Sequence, residues 1–435
     1  MLFFSTYGVV DEIGSQSWWK AIISIGTPFF QKLDEENCLV TFIWQDVEGS
    51  EEVSSIANVL LDINSLTDHH SWAPFCLNRF ASSDVWLGQL TVNSKWRGSY
   101  SFIPLTANQL PHVAQKKGGD STKAQRTWWV DVVQNQTHDE LNSLPAQISG
   151  WGISSPLHLP NAPEEKGWKE WDQGILPFLS ADQIEPVHWS SLMLNNQRNC
   201  SLFSTAIEAS APLVILLDGQ NWGAASGTLS VLQYLTDQQH IVPAHYLLVP
   251  SIDGRTRWQE LGCSSVFWQA FLDELLPYTL QCLAEKNASI LEIIIAGQSL
   301  GGLSAVYAAL TFPDDFSKVI SLSGSFWWPE ENRVNGSMLE QSERELLPKG
   351  SPVEKVRDGE LDVHHLRAFL TVGSGEEDMC LYNQMMYDSI QQQNGDVLLE
   401  TVHGGHDWLS WRSGLVNGLL HLMPASIELK YFRSK

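Results

Sequence analysis

Hydrophobic residues fall into two textures along the chain. From Leu39 to Leu105 they come in short β-rich runs broken by turn residues: Leu39–Trp44, Val59–Ile63, Val85–Val92 and Gly98–Ile103. Short strands at such intervals predict a β-sandwich. Pro111–Arg126, with its Lys-Lys-Gly-Gly-Asp core, reads as an exposed loop. Pro145, Pro156, Pro160 and Pro163 mark a linker. From Val187 the texture changes. Trp189–Leu194 and Asn199–Thr205 read as an opening hairpin. Pro212–Leu217, Ala244–Pro250, Lys318–Leu322, Leu366–Val372 and Val397–Val402 read as buried strands, with helices at Phe267–Leu283 and Asn383–Gln393. Strands alternating with helices predict a mostly parallel sheet covered on both faces, an α/β fold. The expected division is a sandwich at 1–150, a linker at 151–185 and an α/β domain at 186–435.

The second region is organised around Leu291–Leu310. The β-branched run Ile293-Ile294-Ile295 predicts a strand buried on both faces, and Leu303, Val306, Tyr307 and Leu310 recur at helical spacing. Between them Gly297-Gln298-Ser299-Leu300-Gly301 fits G-x-S-x-G. Strand, sharp turn and helix are the context of a nucleophile elbow, the hallmark of an α/β-hydrolase. Ser299 is the candidate nucleophile. An ordinary Gly-Ser turn would read the same without a base and an acid elsewhere in the chain.

A serine hydroxyl is a poor nucleophile at neutral pH and needs a general base. In this fold the chain order is serine, acid, histidine. After the last predicted strand comes His403-Gly404-Gly405-His406-Asp407-Trp408. Both histidines are possible bases; His406 is favoured because the glycines before it free the loop to turn. The acid is expected after Leu366–Val372, where Glu376, Glu377 and Asp378 are adjacent. One carboxylate orients the imidazole; Glu376 leads, with Asp378 next. The oxyanion hole is expected from the backbone N–H of Leu300 and one N–H of Asp218-Gly219-Gln220-Asn221-Trp222, at Gln220 or Asn221.

The 435 residues carry a formal net charge of −24, which argues against nucleic acid or anionic membrane as a partner. The six cysteines are scattered with no C-x-x-C pair, so neither a zinc site nor a disulfide framework is expected. The first residues lack a basic region before their apolar run, and no apolar stretch approaches a membrane span, so the expected compartment is the cytoplasm.

The second region resembles the enterochelin (enterobactin) esterases, which hydrolyse ferric catecholate siderophores. The resemblance runs through L-L-D-G-Q-N-W at 216–222, I-D-G-R-T-R at 252–257, F-W at 267–268, A-G-Q-S-L-G-G at 296–302, L-S-G-S-F-W-W-P at 322–329 and G-G-H-D-W at 404–408. F-I-W at 42–44, D-V-W at 84–86 and R-G-S-Y-S-F-I-P at 97–104 look like that family's N-terminal domain, an immunoglobulin-like β-sandwich. The resemblance implies a Ser299, Glu376, His406 triad, with the glutamate in a G-x-x-E setting. Residues 377–379 depart from the usual continuation, which keeps Asp378 open. It also implies a ferric catecholate siderophore as substrate, with iron as part of the substrate and no cofactor. An aromatic anion needs cations and stacking surfaces; Arg255, Arg257 and Trp222 are the candidates, with Trp327 and Trp328 as further walls. Two other readings share these residues: a carbohydrate or feruloyl esterase, and a siderophore-binding protein without catalysis.

Overall fold

The computed structural model describes residues 11–111, 121–149, 152–206, 210–329 and 349–425. The chain forms two units, Met1–Pro163 with His403–Leu409, and Glu164–Val402 with Ser410–Lys435.

The first unit contains strands β1 (Phe29–Lys32), β2 (Asn37–Gln45), β3 (Ile56–Ile63), β4 (Asn78–Arg79), β5 (Val85–Asn93), β6 (Arg97–Thr106), β7 (Gln147–Ser149) and β8 (Gly152–His158). They pair antiparallel in two four-stranded sheets, β1-β2-β5-β4 and β3-β6-β8-β7. Alternate residues of each strand point inward. Val40 and Phe42 of β2, Leu61 and Ile63 of β3, Trp86 and Val92 of β5, and Tyr100 and Phe102 of β6 therefore meet in one core. This is the two-sheet packing that the short strand runs predict.

Two expectations need correction. The loop expected at Pro111–Arg126 lies partly outside the described residues, and its remainder opens a helix, Ser121–Val132. Trp128 and Val132 of that helix pack on Leu60, Ile103 and Leu105, so apolar contact outweighs the polar flank. The linker expected at 151–185 begins instead with β8, which pairs with Arg97–Tyr100, and the unit boundary falls at Pro163. Pro156 is tolerated within that strand but disguises it in sequence.

The second unit holds β9 (Ile184–Ser191), β10 (Asn196–Ser204), β11 (Ser210–Leu217), β12 (His245–Val249), β13 (Ser289–Gln298), β14 (Lys318–Leu322), β15 (Arg367–Gly373) and β16 (Asp396–Val402). They form one eight-stranded sheet in the order β16-β15-β14-β13-β11-β12-β10-β9. β9 and β10 are the predicted antiparallel hairpin, β10 joins β12 antiparallel, and the other pairings are parallel. β11 is buried from Ala211 to Leu217, as expected of a strand covered on both faces. From β11 the chain moves to β12 on one side and then to β13 on the other. That reversal is a topological switch point, where open α/β sheets place their ligand crevices beyond the strand ends. Arg412 is fully enclosed and holds Glu165 at 2.8 Å and Asp172 at 2.6 Å, tying the start of the unit to its last helix. Among the described residues, no helix is long and apolar enough to cross a membrane.

Candidate active site

β13 ends at Gln298, and the helix Leu300–Thr311 starts two residues later. Ser299 alone makes the turn, with φ 57° and ψ −117°. Such backbone is unfavourable for a residue with a Cβ and persists only where the surroundings enforce it. Here the Ser299 N–H donates to Leu322 O at 2.8 Å, while its carbonyl accepts from the N–H groups of Leu303 and Ser325, both at 3.1 Å. The flanking glycines have unequal roles. A Cβ at Gly297 would meet the Gly301 backbone at 2.5 Å, and one at Gly302 would meet Ser321 Oγ at 2.6 Å. A Cβ at Gly301 would find only ordinary contacts at 3.5 Å. Ser299 is half-buried and its Oγ lies 3.2 Å from Ser325 Oγ. The Leu300 N–H stands in the first turn of the helix, where no intrahelical acceptor exists and the dipole favours negative charge.

The three adjacent carboxylates occupy different settings. Glu376 is buried, and its Oε1 accepts from Ser323 Oγ at 2.6 Å and from the Gly373 N–H at 2.7 Å. Ser323 in turn accepts from Trp411 Nε1 at 3.0 Å. Glu377 is exposed at the residue before the helix Asp378–Gln392, and Asp378 opens its first turn, a favourable place for a negative charge. Neighbouring strand ends align: Gln298 pairs with Leu322, Leu322 with Thr371, and Gly373 with Val402. The elbow, Ser323 and the Glu376 turn therefore emerge along one edge of the sheet.

Beyond β11, Asp218 adopts left-handed backbone with φ 53° and is almost fully buried. Its carboxylate accepts from Arg257 on both oxygens, at 2.8 Å on Oδ1 and at 2.7 and 3.0 Å on Oδ2, and from Ser251 Oγ on Oδ1 at 2.6 Å. Gly219 is required because a Cβ would lie 2.6 Å from the backbone between Leu248 and Val249. Gln220 is exposed, and its side-chain oxygen accepts from the Ser251 N–H at 2.9 Å. Arg255 and Arg257 both lie on the helix Gly254–Leu261, whose N-cap is Asp253. Arg255 is exposed, whereas Arg257 spends its guanidinium on Asp218 and on Gln298 O at 3.3 Å. Trp222 is fully enclosed, with its indole N–H 3.1 Å from Leu217 O. The expected stacking surface there is corrected: Trp222 supports the loop from inside, because an apolar ring beside a strand end is worth more in the core than in solvent. Trp258, Trp327 and Trp328 cluster instead, with ring centroids 5.3 to 6.0 Å apart.

His406 lies in the stretch His403–Leu409, which folds into the first unit. Its N–H donates to Asn64 Oδ1 at 3.0 Å. Sequence reasoning missed Ser323, Ser325 and Trp258. The two serines sit in L-S-G-S-F-W-W-P, where the tryptophans draw the eye, and their partners 53 and 26 residues away leave no local signal. For a cation, the converging carboxylates of Glu165 and Asp172 are already compensated by Arg412.

Residues 39–168 match the family "Enterochelin esterase, N-terminal" and residues 193–422 match "Putative esterase". An iron(III) enterobactin esterase of Dickeya dadantii is 36% identical over 97% of this chain and 96% of its own length. One of Escherichia coli is 36% identical over 94% and 97%. The crystal structure of the enterobactin esterase of Shigella flexneri in the presence of enterobactin covers 94% of this chain and 98% of its own, at 33% identity and TM-score 0.78. The ferric enterobactin esterase of Salmonella typhimurium covers 93% and 98%, at 34% identity and TM-score 0.79. With both family domains matched in order and relatives aligned from end to end, this chain belongs to the enterochelin (enterobactin) esterase family.

Proposed function

We propose that this ester hydrolase cleaves the serine-lactone bonds of ferric enterobactin, or of a closely related ferric catecholate, releasing dihydroxybenzoylserine fragments. The observation that carries the reading is Ser299, held at φ 57° on a strand-to-helix corner with an enforced backbone, in a chain whose relatives are named iron(III) enterobactin esterase. His406 takes the proton from Ser299 Oγ as the oxygen attacks a lactone carbonyl. Glu376 keeps the imidazole in the required tautomer; its burial and its fixed Oε1 support that role over Asp378. The N–H of Leu300, with that of Gln220, stabilises the oxyanion. The seryl hydroxyl leaves with the proton from His406, and water then attacks the acyl-enzyme with His406 again as base. Cutting the ring costs the siderophore its preorganised grip on iron. Iron belongs to the substrate, and the chemistry proposed calls on no cofactor.

Arg255, exposed in the first turn of the helix that also carries Trp258, is the cation we assign to the anionic substrate; Arg257 supports the site through Asp218. The strand order of the first unit supports an immunoglobulin-like sandwich: β1-β2-β5-β4 follows the order A-B-E-D and β3-β6-β8 the order C-F-G, with β7 added beyond β8. Six unpaired thiols support a reducing compartment, the cytoplasm. Ser299→Ala tests the reading: chromatography is expected to detect no hydrolysis products while ferric enterobactin still binds, and a fluorophosphonate is expected to label Ser299 in the native protein alone. Turnover in the variant sinks the mechanism. Cleavage of feruloyl sugar esters in place of enterobactin moves the substrate to the rival class.

A further inference from the structure

The general base proposed above sits on a chain segment poorly suited to holding it. Gly404 and Gly405 precede His406, and glycine loses more backbone freedom on ordering than any other residue. A base misplaced by about 1 Å can lose ~100-fold in rate, so something must hold the segment still. Within the first unit the answer is specific. β3 ends at Ile63, and the next residue, Asn64, turns its side-chain oxygen to the His406 N–H at 3.0 Å. The same oxygen accepts from Ser65 Oγ at 2.8 Å, which fixes its direction. Gly405 packs so closely that a Cβ there would lie 2.6 Å from Asn64 O and 2.8 Å from Ser65 Oγ. On either side the segment is tied again. The Arg97 N–H donates to His403 O at 2.8 Å. The Ser99 N–H donates to Asp407 Oδ2 at 3.1 Å, and Ser99 Oγ bonds the same oxygen.

We infer that Asn64 is a positioning residue for His406: within this unit its side chain presets the main chain of the proposed base. The inference rests on the reading of His406 as base. Asn64 acts through one hydrogen bond to the backbone of the proposed base. An aspartate at 64 keeps that acceptor, and an alanine removes it.

The test compares Asn64→Ala, Asn64→Asp, Gly405→Ala and His406→Ala in the full-length protein, following ferric enterobactin hydrolysis, fluorophosphonate labelling rate and melting temperature. Asn64→Ala is expected to lower kcat about 10-fold or more with KM within about twofold, and to slow labelling in proportion. Asn64→Asp is expected to restore most of the rate, and Gly405→Ala, which displaces the same contact from the other side, to repeat the loss. Wild-type kcat in Asn64→Ala while His406→Ala is inactive overturns the positioning role and leaves the base intact. Equal losses in the Ala and Asp variants that track melting temperature also overturn it, in favour of a purely structural contact. An active His406→Ala overturns both readings.

Discussion

The Ser323 hydroxyl donates a 2.6 Å hydrogen bond to the Glu376 carboxylate, joining the residue after β14 to the turn after β15. With the Gly373 N–H on the same oxygen, the bond fixes one of three adjacent acids and leaves Glu377 at the surface. A triad acid must orient an imidazole without becoming protonated. Glu376→Gln keeps the shape and loses the charge, so kcat is expected to fall by about 10³ to 10⁴. Asp378→Asn, at a helix start, is expected to stay within about threefold. Steady-state hydrolysis by the two purified variants separates them, and the reverse order would transfer the role to Asp378.

The elbow glycines make a second comparison. Gly297→Ala forces a Cβ to within 2.5 Å of backbone, with no side chain free to move aside. It is expected to lose about 2–3 kcal/mol of stability and most of its activity, since overpacking must be relieved by moving the strained corner itself. Gly301→Ala meets only contacts at 3.5 Å and is expected to fold and melt close to wild type. Thermal melts with parallel assays check both.

The two arginines of one helix are expected to fail differently. Arg257→Ala strands the buried Asp218 charge, and since Arg257 is itself partly exposed the loss is about 2–3 kcal/mol, less than for a fully buried pair. Arg255→Ala is expected to leave the fold alone and to raise KM for ferric enterobactin, more at low salt than at high, because the role proposed for it is attraction of an anion. A KM unchanged at low salt would remove Arg255 from the substrate site.

Asp62 supplies a pH signature. Burial first, and then the negative charge of Asp407, push its carboxyl up to about 6 from an ordinary 3.8. Its Oδ1 is buried with no hydrogen-bond partner among the described residues. The folded state therefore binds this proton more tightly than the unfolded state does. The associated stabilisation is full below pH 3.8 and lost as pH rises through about 6. Asp62→Asn, which carries no charge at any pH, is expected to be more stable than wild type above pH 7 by about 1–3 kcal/mol, with the gap closing below pH 4. Melting temperature measured from pH 4 to 8 checks the sign.

Much of this molecule was legible in one dimension. Lys318–Leu322 is a strand at the predicted residues, and Ser299 sits in the strand–turn–helix context that its motif requires. These features are local: β-branched runs, helical spacing and turn glycines act within a few residues of themselves. The helix Gly254–Leu261 was not among the predicted elements; Asp253 starts it by accepting from the Thr256 N–H. β8 was hidden by Pro156, and its place was decided by pairing with Arg97–Tyr100, more than fifty residues away.

By itself the sequence determined the sheet's strands, the strand–turn–helix setting of the candidate nucleophile and the family motifs, because each is written in contiguous residues. Only the tertiary structure decided which of three neighbouring acids is buried, that Arg257 faces Asp218 while Arg255 faces solvent, that Trp222 is interior, and that Asn64 meets the His406 backbone. Those choices depend on burial and on hydrogen bonds between distant residues, and neither exists until the chain has folded.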